Sequence, residues 1–148
     1  MTLLEQIDAD LKTAMKARDA EKVSVLRMLK AAVSNQAIGQ GKSSLEDGGI
    51  HEVIRKTIKQ HQESIEAFTK GGRPELAAKE EHEAAILKAY LPPAMDEAEL
   101  KALIQATIKE LGVSGPSALG QVMKAVLPKV KSRADGKQVS QLVGQLLK

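Results

Sequence analysis

The chain has 148 residues, with 22 lysines and arginines against 19 aspartates and glutamates, 43% hydrophobic side chains and no cysteine. That is long enough for one ordinary domain or two small ones with cores of their own, and it excludes disulfides, thiol nucleophiles and thiol redox chemistry. Phe68 and Tyr90 are its only phenylalanine and tyrosine, there is no tryptophan, and no apolar run approaches the roughly 20 residues of a membrane span; a reader of single-stranded nucleic acid by base stacking is not expected, and a soluble, cytoplasmic protein with no membrane partner is.

Thr2 and Glu5 form a capping box for a first helix that places Leu4, Ile7, Leu11, Ala14 and Met15 on one face and ends near Ala17. Asp19 caps a second helix with the stripe Val23, Leu26, Leu29, Val33 and Ala37, which runs to Gly39; Lys30 falls inside that stripe and needs a partner. Gly39 to Gly49 is rich in glycine and serine and reads as a loop. Its Gly41-Lys42-Ser43 imitates the end of a phosphate-binding loop, but Gln36 stands where the first glycine belongs and a helix precedes it, so the motif is rejected.

A third helix carries Ile50, Ile54, Ile58, His61, Ile65 and Phe68 at steps of four and three, until Gly71 and Gly72 break it. Pro74 opens a fourth helix to about Ala89, and Pro92-Pro93 marks a domain boundary. Asp96 and Glu99 then cap a helix with Leu100, Leu103, Ile104, Ile108 and Leu111, closed by Gly112. Two further amphipathic helices follow, one with Leu119, Val122, Met123, Val126 and Leu127, the other with Val139, Leu142, Val143, Leu146 and Leu147. Pro128 is expected to stop the first of these and Asp135 to cap the second, with Gln138 completing its box. No segment alternates with period two, so the expected fold is all-α: an N-terminal helical domain over 1–92 with long helices, and a small C-terminal three-helix bundle over 93–148.

Catalytic constellations are scarce. His51-Glu52 begins like a zinc-protease helix, but Arg55 occupies the place of the second histidine. Neither His61 nor His82 has a metal ligand at its helical neighbours, so both are expected to be packed or surface histidines. Glu80 and Glu83 lie on the inward stripe of the fourth helix, where Lys30 or Arg27 is expected to neutralise them. No catalytic residue, metal site or cofactor is expected.

Charge points elsewhere. Residues 1–92 hold 14 basic and 14 acidic side chains and residues 93–148 hold 8 and 5, so the whole surplus lies in the C-terminal part. Lys124, Lys129, Lys131, Arg133 and Lys137 gather around the turn between the last two helices, an arrangement suited to the phosphates of structured RNA, contacted through backbone and shape.

Two stretches resemble the GatB/YqeY family: Arg73-Pro74-Glu75-Leu76 through Glu80-Glu81-His82-Glu83 and on to Tyr90-Leu91-Pro92, and Gly120-Gln121-Val122-Met123-Lys124 with Arg133-Ala134-Asp135-Gly136-Lys137. Leu26-Arg27-Met28-Leu29-Lys30 also fits, so the resemblance spans nearly the whole chain, as in a stand-alone YqeY-like protein. Ala118, where the family often has an acid, and Ser132, where glycine is common, depart from its pattern. The resemblance implies an all-helical tail module shared with the B subunit of glutamine-dependent tRNA amidotransferase, a carbon-nitrogen ligase whose tail contacts the tRNA body while its chemistry sits in other domains. The expected function is therefore a non-catalytic accessory protein that binds tRNA or other structured RNA, with a protein partner in tRNA amidation or translation. The alternatives are a helical protein-docking or self-association module and a component contributing to amidotransferase activity.

Overall fold

A computed structural model describes residues 1–130 and 133–147; Lys131, Ser132 and Lys148 lie outside the described residues. The helices are α1 (Leu3–Lys16), α2 (Ala20–Gly39), α3 (Asp47–Lys70), α4 (Pro74–Lys88), α5 (Glu97–Leu111), α6 (Leu119–Val130) and α7 (Gly136–Leu146), with a 3-10 turn at Pro116–Ala118 before α6. Among the described residues there is no strand, so the fold is all-α, and no helix is long and apolar enough to cross a membrane. The chain divides into two compact units, Met1–Leu91 and Pro92–Lys148.

In the first unit the apolar faces of α1, α2 and α3 and the end of α4 close over one core, with Ile7, Leu26, Ile50 and Ile54 fully buried and Leu29 and Leu87 nearly so. Thr2 and Glu5 form the expected reciprocal cap, and Asp19 accepts the Lys22 amide proton to start α2. The loop before α3 is shorter than its glycines suggest, because Asp47, Gly48 and Gly49 are already helical. The Asp47 carboxylate accepts the Leu3 amide proton at 3.0 Å, and Leu45 is buried in the core, so tertiary contacts outweigh the glycines' poor helix propensity. Lys30 finds its partner in Asp8 at 2.6 Å. Met15, placed on the inward face by its spacing, is 49% exposed.

The α3–α4 hairpin turns at Gly71 and Gly72, the latter at φ 72°, and Pro74 occupies the first turn of α4 as expected. The burial of α3 fades along its length. Ile50, Ile54 and Ile58 are buried, while His61, Ile65 and Phe68 are only half-buried against α4.

The second unit packs α5, α6 and α7 around Leu100, Ile104, Val122, Val126, Val139 and Val143, all fully buried. Gly112 ends α5 in the left-handed region at φ 64°. Pro128 does not stop its helix: α6 continues to Val130, which is buried in the core. A proline in the last turn forfeits one backbone bond and is outweighed by burying the next turn's valine. The expected apolar face is corrected in the same place, because Leu127 is 43% exposed.

Candidate functional site

Among the described residues two places gather chemistry, one in each unit.

In the first unit, His61 of α3 faces Glu80 and Glu83 of α4. Glu80 and Glu83 are three apart on one helix, hence on one face, and the antiparallel hairpin sets His61 about as far before the turn as they lie after it. The His61 ring Nδ1 is hydrogen-bonded to Glu80 Oε2 and lies 3.8 Å from Glu83 Oε2. The side chains are 14%, 23% and 18% exposed, half-sunk between the helices. One imidazole nitrogen and one oxygen from each carboxylate all lie within 4.8 Å of one another, a set able to hold a metal ion.

This corrects two expectations. Lys30 is occupied by Asp8 and Arg27 is exposed; His61 is the partner of Glu80 and Glu83. No ligand stands beside His61 along its own helix; its convergent partners come from the neighbouring one. The symmetry of positions about Gly71-Gly72 is the signal that could have found them. His82, by contrast, sits on the open face, 69% exposed, with Glu21 at 2.8 Å.

In the second unit, the basic side chains singled out around the α6–α7 turn have different fates. Lys129 Nζ donates to Glu110 Oε2 at 3.1 Å and to the Thr107 hydroxyl at 3.3 Å. Arg133 makes a two-pronged pair with Glu99, at 3.1 and 3.2 Å, and its Nε donates to the Pro93 carbonyl at 3.1 Å. Its backbone is held as well, since the Met95 amide donates to the Arg133 carbonyl at 2.9 Å. Arg133 thus ties α5's approach to the α6–α7 turn. Glu99 is drawn away from closing its own capping box, leaving Asp96 to accept the Glu99 amide proton at 2.6 Å. Lys124 and Lys137 are exposed and form no ion pair among the described residues. Lys131 lies outside the described residues. At the start of α7 the Asp135 side chain accepts from the Lys137 amide at 3.3 Å, not from that of Gln138, so one backbone donor of that helix end is already engaged.

Residues 4–147 match the family described as Yqey-like protein. Curated relatives named "Altered inheritance of mitochondria protein 41, mitochondrial" include one from Lachancea thermotolerans, 36% identical over 73% of this chain and 59% of its own length. The protein of that name from Eremothecium gossypii is 34% identical over 73% of this chain and 60% of its own. That from Pyrenophora tritici-repentis is 29% identical over 98% and 81%. The chain spans about three fifths of the length of the first two. These names correct the cytoplasmic address expected from the sequence, since all three relatives are named as mitochondrial. A lack of cysteine and of apolar runs limits disulfides and membrane spans, and neither property separates one aqueous compartment from another.

Proposed function

We propose, from the fact that this chain belongs to the YqeY-like family, that it is a non-catalytic accessory protein that binds structured RNA, with tRNA the first RNA to test. The contact surface is the cationic region of the second unit, Lys124, Lys129, Lys131, Arg133 and Lys137. The observation that carries this reading is the distribution of charge: the entire positive surplus of the chain lies within residues 93–148. Phosphate backbones attract such a region without aromatic rings.

The internal pairs of Lys129 and Arg133 are compatible with the reading at a modest cost. Both involve partly exposed carboxylates, and exposed pairs contribute only about 0–1 kcal/mol, so a phosphate can compete with Glu110 and Glu99 for the same cations. Lys124 and Lys137 need no such exchange. Sequence preference should be slight, because contacts to phosphate position a protein without reading bases.

The test is tRNA binding by wild type, a Lys124→Ala/Lys137→Ala double variant and a Lys129→Ala/Lys131→Ala/Arg133→Ala triple variant over a salt series at constant pH. Each lost contact should lower the logarithmic salt slope by roughly 0.7–0.9. A Glu99→Gln/Glu110→Gln variant, which frees two cations, should bind more tightly than wild type. Equal affinities and equal slopes across the set would overturn the reading. So would a self-associating protein whose scattering mass rises while RNA binding is absent.

A further inference from the structure

We infer that His61, Glu80 and Glu83 form a binding site for a divalent first-row transition metal of the zinc type, built into the α3–α4 hairpin of the first unit and separate from the RNA reading of the second. Three observations carry this. The donor set is one imidazole nitrogen and two carboxylate oxygens converging from two helices, within 4.8 Å of one another and half-buried. In a tetrahedral zinc site with bonds near 2.0–2.2 Å, ligand atoms stand roughly 3.3 Å apart. The three atoms, within 4.8 Å of one another, stand close to that spacing, and the side-chain torsions of the two glutamates offer the adjustment a bound ion requires.

Charge is the second observation. Even as an imidazolium, His61 offsets one carboxylate, and Glu80 and Glu83 share the same half-buried face. A divalent cation with neutral imidazole offsets both. The third is the chemistry of the donors: an imidazole beside carboxylates suits zinc and its neighbours in the first row, whereas magnesium and calcium prefer all-oxygen sets. Three protein ligands leave a fourth position for water or for an oxygen of a bound molecule, as in open zinc sites.

The experiment uses the full chain, freed of metal by dialysis against a chelator and titrated with Zn²⁺ in a calorimeter, with Co²⁺ as a spectroscopic probe. The expected result is a single saturable Zn²⁺ site, a visible Co²⁺ spectrum of low coordination number, and a rise in thermal midpoint with Zn²⁺. An excess of Mg²⁺ should not displace the metal. His61→Gln and Glu83→Gln should each weaken Zn²⁺ binding more than about tenfold, since even outer-shell partners of a metal ligand typically cost that much. His82→Gln, which removes the exposed histidine paired with Glu21, should leave it unchanged. If His61→Gln fails to fold, Glu83→Gln still decides, because Glu83 makes the longer contact to the ring. Absence of Zn²⁺ binding to the wild type, or equal affinity in wild type and the Glu83 variant, would overturn the site and leave the three residues as an ion-pair cluster.

Discussion

At the scale of single residues, two side chains of the first unit carry a readable titration. Tyr90 is the chain's only tyrosine; it lies in the core and its hydroxyl donates to Asp10 Oδ2 at 2.6 Å. Burial, and then the Asp10 carboxylate that accepts its proton, push the phenol well above its ordinary value of 10.0. Phenolate absorbance of the folded protein should therefore be missing at pH values where free tyrosine is half ionised. Because the folded pKa is raised, the stability linked to it is fully present below pH about 10 and is lost as pH rises from there towards the folded value. Tyr90→Phe should cost about 1.5–3 kcal/mol, the usual worth of a hydrogen bond to a charged group, measured by urea unfolding. His51 has the opposite sign. Burial foremost, with the positive charge of Arg55, lowers its pKa below 6.5, against smaller raising effects of Asp47 and the Tyr90 backbone. Its neutral form is favoured by folding, so stability should fall as pH drops through 6.5 towards the folded value, where the unfolded chain takes up its proton first. His51→Gln should flatten that part of the pH profile.

At the scale of elements, backbone conformation at the turns gives two predictions of opposite direction. Gly112 closes α5 at φ 64°, with open space where a Cβ would stand, so Gly112→Ala meets no clash and suffers only left-handed strain. A loss of about 1–2 kcal/mol in the second unit is expected. Arg18, in the turn between α1 and α2, sits at φ 57° without being glycine, and Arg18→Gly should raise stability by up to about 1 kcal/mol. Thermal melts of the two variants check both signs. Helix α6 shows how an element outlasts a local stop signal: Pro128 lies inside it, and buried Val130 holds the final residues on the core. The same balance extends α3 back over Gly48 and Gly49, where the Asp47 contact to Leu3 and the packing of Leu45 decide the boundary.

At the scale of the whole molecule, each unit has its own core, so a cavity at either Ile54 or Ile104, both fully buried, should cost about 2–5 kcal/mol as the alanine variant. Hydrogen exchange should report the Ile54 change in α1–α4 and the Ile104 change in α5–α7. The helices were legible in the chain because a period of 3.6 in Ile50, Ile54 and Ile58 or Val122 and Val126, together with caps such as Thr2, Asp19 and Gly112, acts over a few neighbouring residues. Family membership was legible for a related reason, as ordered motifs survive without knowledge of contacts. Pairing across helices was not. Lys30 with Asp8 and His61 with Glu80 and Glu83 join residues from different helices, Arg133 with Glu99 joins the α6–α7 turn to α5, and several cations on the chain could have answered each carboxylate equally well. Which one does so depends on the register and rotation of whole helices, and those are set by how their apolar faces pack, a property of the assembled core and not of any local stretch.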